Sequence, residues 1–425
     1  MATTLLDAAI DAPISFPLSL KGEKFQGARY RVLVHLKAEN LPSCWIDLSA
    51  SDYFLHPDYL KAIEFAAPKN MQFRYCTILK DDQALGVVNC QIMHFKASES
   101  IADDKNGQLD ACFFQAVATQ FNRILARNIK FNTLVCGNLL LTGEHAFAFD
   151  ETQINHQHFM CLLAEAMKPL RKEIKKHGTS TQLTLIKDFF EDKQVDFEAS
   201  FSKQAYKSFA IQPNMILPIR SNWLRFEDYL ADMQSKYRVR AKRAFKKGRE
   251  LEKRELTLDN LSVHKERLYE LYLGIAESSG FNAFILSVDY FLSLKRELGD
   301  RFEVHAYFLA DKLVGFYTLI QNHEELEANF LGYDKSINHP TQAYLNMLYD
   351  MIRRGIELQV KRIIFARTAL EIKSSVGAEP FEMYGYMQHK NTISNRIMNG
   401  VFNMLNTQEE WVQRKPFKEP ITESE

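Results

Sequence analysis

Three residues that could move protons or polarise a carbonyl lie close together in the segment LEANFLGY. Glu327 and Asn329 are two positions apart, so on a regular strand their side chains point to one face, and Tyr333 ends the same strand. A carboxylate and an amide on one face of a central strand need either polar partners or a water-filled cleft. The pattern favours a chemical site, and the alternative is that this face simply meets solvent.

A second group of charged residues follows the next predicted strand, in the segment ARTALEIKSSVGAE. Arg367 could hold a carboxylate, sulfonate or phosphate, Glu371 could hold or deprotonate an amine, and Lys373 could hold phosphates. Ligands of α/β folds commonly bind at the C-terminal ends of strands, where these residues fall. The alternative is a surface loop joined by an Arg367–Glu371 pair, which would contribute little to stability.

The elements that must position these residues occur twice, about 230 positions apart, and such repeats determine the fold prediction. Phe73–Gly86 and Phe302–Gly315 share an aromatic first residue, an Asp at the tenth position and a Gly at the fourteenth. We predict that both segments are hairpins of one duplicated domain. The same spacing continues through two further matches: a helical stretch at Phe114 with one at Tyr344, and Ile129 with Val360.

Strands alternate with helices in both copies, which predicts a mixed α/β fold with two tandem domains, each a mixed sheet flanked by helices. The second copy reads as a hairpin, the strand Leu326–Gly332, the helix Thr341–Leu358 and the strand Arg362–Ala366. We predict five segments: an N-terminal extension packed on the first domain at 1–50, the first domain at 51–214, a connecting segment with a basic helix at 215–260, the second domain at 261–405 and a C-terminal tail at 406–425.

The composition describes a globular protein without bulk attraction to nucleic acid, because the net charge is zero and the pI is near 7.2. All six cysteines lie in the first half without a CxxC pair, which favours reduced thiols over disulfides or zinc. His156 and His158 point to different faces, so no metal site is expected. No apolar run is long enough for a membrane span, and the N-terminus lacks a basic leader region, so we expect a cytoplasmic protein.

A strongly basic segment lies between the copies, at 236–254, with ten Lys or Arg and two Glu. On a helix, Tyr237, Ala241 and Ala244 would form an apolar stripe and Lys236, Arg240 and Arg243 a cationic one. A solvated connecting helix is one interpretation. The others are contact with an anionic membrane surface, an acidic carrier protein or a nucleic acid such as tRNA.

The order helix, helix, hairpin, strand, helix, strand resembles the core of GNAT acyltransferases, and two such cores joined by a basic helix resemble the Fem-type tandem acyltransferases. The second copy is similar to the bacterial predicted N-acyltransferases of that group. The resemblance rests on Leu313–Asp334 and Ala366–Pro380 and covers roughly residues 50 to 400. It implies two tandem GNAT-like acyl-CoA N-acyltransferase domains.

The resemblance also implies where a donor thioester would bind: in an opening between two splayed strands, with the pantetheine arm lying like an added strand. The donor phosphates would sit at the next helix N-terminus, in the turn Gly332–Thr341. This turn lacks the usual Gly-rich loop and offers Lys335, Ser336, His339 and Thr341 instead. Glu327, Asn329, Tyr333 and Glu371 become the catalytic candidates, with Lys373 as a further donor-binding residue.

The acceptor pocket in this fold is lined by the loop between the two opening helices. Here that loop is GFNAF, which predicts substrate contacts for Phe281 and Asn282, and Arg367 and Tyr384 are added as further substrate-binding candidates. The first copy is poorer in polar groups, although Glu144 and His145 follow one of its strands, so we expect it to position substrate while the second copy does the chemistry.

These observations predict an N-acyltransferase that moves an acyl group from acyl-CoA or an acyl carrier protein to an amine. The expected acceptor is an amine on an amino lipid or a cell-envelope precursor. No permanently bound cofactor is expected. The rival interpretations are an aminoacyl-tRNA-dependent peptidoglycan-peptide ligase and a non-catalytic binding protein of the same fold. A peripheral position at the inner membrane, through the basic helix, is an open alternative to a purely cytoplasmic one.

Overall fold

The computed structural model describes residues 13–18, 25, 27–96, 130–191, 200–279, 282–396 and 411–418. The chain divides into two compact units that are interleaved in sequence. The first unit comprises Met1–Ile211, Gly280–Ser293 and Glu382–Gln408, and the second comprises Gln212–Ser279, Leu294–Phe381 and Glu409–Glu425. Each unit contains a mixed sheet with helices packed on it.

The sheet of the first unit has the strand order β1–β2–β3–β4–β5–β7–β14, and β6 pairs with β4. Neighbouring strands are antiparallel except for β5 and β7, which are parallel. The strands are β1 (Ile14–Pro17), β2 (Tyr30–His35), β3 (Met71–Lys80), β4 (Gln83–Lys96), β5 (Lys130–Cys136), β6 (Phe147–Phe149), β7 (Leu183–Phe190) and β14 (Glu379–His389). The helices are α1 (Cys44–Leu48), α2 (Pro57–Phe65) and α3 (His156–Lys176).

The sheet of the second unit has the order β8–β13–β12–β11–β10–β9, in which only β12 and β13 are parallel. Its strands are β8 (Lys207–Pro218), β9 (Glu252–Glu255), β10 (Phe302–Leu309), β11 (Lys312–Asn322), β12 (Glu325–Tyr333) and β13 (Arg362–Ile364). The helices are α4 (Phe226–Asp232), α5 (Ser235–Lys247), α6 (Leu258–Ala276), α7 (Tyr290–Leu298), α8 (Lys335–Thr341), α9 (Ala343–Glu357) and α10 (Leu370–Ser375). Three elements cross the division between the units: β8 after Ile211, α7 after Ser293 and β14 after Phe381.

The two hairpins have the same construction, as the repeat predicts. Each turn has two residues with positive φ, Asp81 and Asp82 (47° and 69°) in one hairpin and Ala310 and Asp311 (47° and 61°) in the other. Such turns match the right-handed twist of the strands they join. Both hairpins have a bulge directly next to the pair that contains the repeated glycine, between Ile78 and Leu79 and between Tyr307 and Phe308.

The repeated glycines allow a helix to approach the hairpin closely. A Cβ at Gly86 would lie 2.4 Å from the ring of Phe159 on α3, and a Cβ at Gly315 would lie 2.8 Å from Cε of Met347 on α9. α3 therefore packs on the first hairpin as α9 packs on the second.

The downstream part of the predicted alignment was wrong. β5 is antiparallel to β4 and parallel to β7, as β12 is antiparallel to β11 and parallel to β13. β5 therefore corresponds to β12 and not to β13, so Ile129 does not match Val360. The constant spacing fails because residues 97–129 separate β4 from β5, whereas β11 and β12 are joined by a tight turn. The helix predicted at Phe114 lies outside the described residues.

Two other local predictions need correction. The basic segment is helical only as far as Lys247, and Glu252–Glu255 forms the edge strand β9 beside β10. The turn Gly332–Thr341 contains the short helix α8. In the segment predicted as a C-terminal tail, Phe417 bridges to Met233 and packs on Trp223. Among the helices of the described residues, none has the length and apolar character to cross a bilayer.

Candidate active site

The parallel strands β12 and β13 separate soon after they meet. They pair only from Glu325 to Glu327 with Arg362 to Ile364. Beyond this point β12 continues to Tyr333, whereas the chain after β13 follows β8, with the amide of Phe365 donating to the carbonyl of Met215 at 2.8 Å. Residues 328–331 are partly exposed although β12 is an interior strand. We call the gap beyond Glu327 the β12–β13 opening.

A bulge in β12 borders this opening. Leu319 pairs with Ala328 and Tyr317 with Leu331, so β12 carries one extra residue opposite Thr318. The Thr318 hydroxyl holds the bulge by donating to the carbonyl of Phe330 (2.9 Å) and accepting from its amide (3.0 Å). The predicted shared face of Glu327 and Asn329 assumed regular alternation, and this alternation is interrupted at Asn329.

Glu327 and Lys373 lie at the closed end of the opening. Glu327 is the last paired residue of β12 and is 3% exposed. The buried Lys373 ammonium donates to the carbonyls of Phe365 (2.6 Å), Ala366 (3.3 Å) and Arg367 (2.7 Å). Burial lowers the pKa of Lys373 to about 7, and the nearby charge of Glu327 opposes that shift. Because main-chain carbonyls occupy its ammonium, Lys373 holds this loop and is not placed to bind a donor phosphate.

The loop that Lys373 holds has an unusual backbone. Ala366, Thr368 and Ala369 have φ values of 57°, 75° and 48°, a region that costs free energy for residues with a Cβ. The three hydrogen bonds from Lys373 compensate for part of this cost. Asn214 on β8 lies two residues before Ile216, the partner of Ile364, and is buried with no hydrogen-bond partner for its Oδ1 in the part of the chain that the structure describes.

Glu371 is placed on the surface. Its side chain is 51% exposed and pairs with Arg414, whose amide also donates to the hydroxyl of Ser374 at 3.0 Å. Arg367 is half-buried in the loop after β13. The structure thus brings Glu327, Asn329, Arg367 and Lys373 to one end of the sheet and leaves Glu371 at its surface.

The predicted donor-phosphate turn is occupied by α8. Lys335, Ser336 and His339 are exposed, and the hydroxyl of Thr341 donates to the carbonyl of Ile337 at 2.6 Å. At the start of α9, the amide of Tyr344 donates to Oδ1 of Asn338 at 3.1 Å. An amide that an anion would use is therefore already bonded within the chain.

Tyr333 ends β12 beside this turn, with its ring centroid 6.1 Å from that of Tyr344. Burial raises the pKa of Tyr333, which keeps its phenol protonated at neutral pH. It can therefore donate a hydrogen bond or a proton.

Asn282 and Tyr384, two of the substrate-binding candidates, belong to the first unit. Asn282 is partly buried next to Ala283, whose carbonyl accepts from Nδ2 of Asn70 at 2.8 Å. Tyr384 pairs with Phe189 where β14 meets β7. Phe281 lies outside the described residues.

The first copy differs from the second at the corresponding position. Cys136 is the last residue of β5 that pairs with β7, where the second copy has Glu327. The segment after Cys136 is bonded to the end of β7: Nζ of Lys187 donates to the carbonyls of Asn138 (2.8 Å) and Leu141 (3.0 Å). The amide of Phe190 donates to Glu144 at 3.1 Å. Within the described residues, the first copy therefore has neither this carboxylate nor an open strand end.

Comparison with known proteins places this geometry in a structural class. No family model and no curated protein matches the sequence. FemX is similar in structure, with a TM-score of 0.50 and 12% identity over 80% of this chain and 93% of that one. The chain has a tandem GNAT-like fold.

Two further solved structures align less well with this tandem GNAT-like chain. A tandem GNAT protein from the clavulanic acid biosynthesis pathway has a TM-score of 0.46 and 10% identity over 89% of this chain and 99% of that one. L-PGS from Bacillus licheniformis has a TM-score of 0.43 and 11% identity over 82% of this chain and 96% of that one.

Sequence reasoning missed Asn214, Thr318 and the structural role of Lys373. One signal was present for the corresponding lysine of the first copy: Lys187 follows the residues LTLI of a predicted strand, and a lysine in a buried strand needs a partner. Lys373 stands among Glu371, Ser374 and Ser375 and carries no such signal. Thr318 and Asn214 carry no local signal, because their roles depend on strands distant in sequence.

Proposed function

We propose that this protein is an N-acyltransferase that moves an acyl group from a thioester donor, acyl-CoA or an acyl carrier protein, to an amine. The observation that carries the proposal is the β12–β13 opening with buried Glu327 at its closed end. A pantetheine arm can lie along β12 beyond Glu327 as an added strand, which brings its thioester toward the bulge.

The residues at the opening match the steps of this reaction. The amine nitrogen forms a bond to the acyl carbon and the carbon–sulfur bond breaks. Glu327 takes the proton that the amine loses, and the phenol of Tyr333 supplies a proton to the departing thiolate. The side-chain amide of Asn329 stabilises the negative charge on the carbonyl oxygen. The product is an amide and a free thiol.

The acceptor that we propose is an amine on an amino lipid or a cell-envelope precursor. The half-buried Arg367 in the loop after β13 supports this choice, because its guanidinium can hold the phosphate or carboxylate that such molecules carry.

The test compares two glutamates of the second unit. Thiol release from acyl-CoA and from acyl carrier protein is followed with a panel of amines for wild type, Glu327→Gln and Glu371→Gln. We expect Glu327→Gln to lower kcat at least a hundredfold, because general base catalysis contributes about 10² to 10⁴. The exposed Glu371 is the matched control and should change kcat less than about threefold. Equal loss in both variants, or turnover that survives Glu327→Gln, contradicts the assignment.

A second candidate is transfer from an aminoacyl-tRNA. The occupied phosphate turn at α8 favours a donor that does not need the usual coenzyme A site. Formation of an amide from charged tRNA, without turnover of any thioester, would support this candidate.

A further inference from the structure

The exposed face of α5 is a cationic surface whose charges are not paired with acidic side chains among the described residues. Arg240, Lys242, Arg243 and Lys246 are exposed and form no ion pair with any residue that the structure describes. The opposite side of the helix is fixed, because Tyr237, Ala241 and Ala244 are buried in the core of the second unit. α5 therefore presents charge from a rigid position, and Val239, which is exposed among these cations, does not by itself make the apolar face that a membrane-surface helix needs.

The C-terminal end of α5 lies at the turn between β12 and α9. Nδ2 of Asn346 on α9 donates to the carbonyl of Ala244 (3.0 Å), and Nζ of Lys247 approaches the carbonyl of His339 on α8 (3.5 Å). A Cβ at Gly248 would lie 2.5 Å from Nδ2 of Asn346, so the contact is close. The cations of α5 thus stand beside the turn where a donor in the β12–β13 opening would carry its phosphate.

This turn does not offer the usual amide site for coenzyme A phosphates, since α8 fills it and Asn338 already bonds the amide of Tyr344. The protein must then recognise the group that carries the pantetheine arm. We infer that the cationic surface of α5 binds an acidic carrier protein, which presents its pantetheine-linked acyl group to the β12–β13 opening. This inference rests on the proposed thioester chemistry.

The size of the surface favours a protein over a nucleic acid. Residues 240 to 246 extend about 9 Å along the helix axis, which matches contact with one acidic helix. A phosphodiester backbone is normally tracked by a longer basic stripe on a basic domain, whereas this chain has zero net charge. The complementary charges would raise the association rate and would be screened by salt.

The test uses a triple charge reversal on α5, Arg240→Glu, Arg243→Glu and Lys246→Glu, in the full chain. The matched control reverses Lys168, Lys172 and Lys175 on α3 of the first unit. Binding of bacterial holo-acyl carrier protein is measured by biolayer interferometry at low and high salt, with total tRNA as a second analyte. Turnover is measured with acyl carrier protein and with a carrier-free acyl N-acetylcysteamine thioester.

We expect the α5 reversal to weaken carrier-protein binding and raise KM for acyl carrier protein about tenfold or more, with carrier-free turnover unchanged and the α3 reversal without effect. Equal loss with both donors would make α5 a structural element and overturn the inference. Salt-sensitive tRNA binding lost in the α5 variant, without carrier-protein binding, would also overturn it. Carrier-protein binding without turnover of any thioester would retain the surface and reject the proposed chemistry.

Discussion

Replacing Gly332 with alanine places a methyl group against the main chain of α6. The added Cβ would lie 2.5 Å from the carbonyl carbon of Leu271 and 2.5 Å from the amide nitrogen of Tyr272. Neither atom can rotate away, so α6 must shift by about 1 Å to restore ordinary contact. Overpacking of this kind costs about 1 to 3 kcal/mol, and a clash with main chain belongs at the upper end, about 2 to 3 kcal/mol.

The same helix provides the control. Gly274 has no heavy atom within 4 Å of an added Cβ, so Gly274→Ala should stabilise the protein by about 0.5 to 1 kcal/mol through helix propensity. Both variants are made in a Trp45→Phe background, in which Trp223 and Trp411 report only on the second unit. Urea unfolding is followed by fluorescence. A Gly332→Ala variant within about 0.5 kcal/mol of its parent would refute the packing of α6 on β12.

Three further predictions concern charge and packing. Burial raises the pKa of Glu303, but hydrogen bonds from His305 and Arg354 lower it to about 2. The Glu303 charge therefore adds about 3 kcal/mol to the free energy of unfolding above pH 4.5, and this contribution is lost as the pH falls toward 2. The free energy of unfolding of Glu303→Gln should therefore lie below wild type at pH 7 and converge with it in acid; a gap independent of pH would contradict this. Lys373→Met should cost about 3 kcal/mol in urea unfolding because three buried carbonyls lose their donor, whereas exposed Lys335→Met should change little. Gly86→Ala should lower the melting temperature more than Gly315→Ala, because the Phe159 ring yields less readily than the flexible end of Met347, and the reverse order would count against this packing.

The local pattern of the sequence predicted the hairpins well. The repeated Asp lies in a two-residue turn, which depends only on neighbouring residues. The repeated Gly allows a close helix contact, which depends on one packing partner. The long helix α3, His156–Lys176, is encoded in the same local way, because its apolar residues recur at helical spacing.

Topology beyond the hairpins could not be predicted by spacing. The segment 97–129 lengthens one copy, so a constant offset assigned β5 to the wrong partner. Only part of the candidate site could be predicted from the sequence. Glu327 is recognisable as a carboxylate in a central strand, but the bulge at Asn329 depends on hydrogen bonds from Thr318 on the neighbouring strand β11. The burial of Lys373 depends on carbonyls of a loop with positive φ values, and the sequence of this loop does not predict those values.

Donor binding in the β12–β13 opening is the central claim, and amide hydrogen exchange tests it most directly. Non-hydrolysable thioether analogues of acyl-CoA and of acyl carrier protein are added at concentrations that raise the melting temperature, and exchange is compared with the free protein. If the donor lies along β12, the main-chain amides of residues 328–331 should exchange more slowly, and those of β5 in the first copy should be unchanged. A bound analogue that protects other residues and leaves 328–331 unchanged would contradict it.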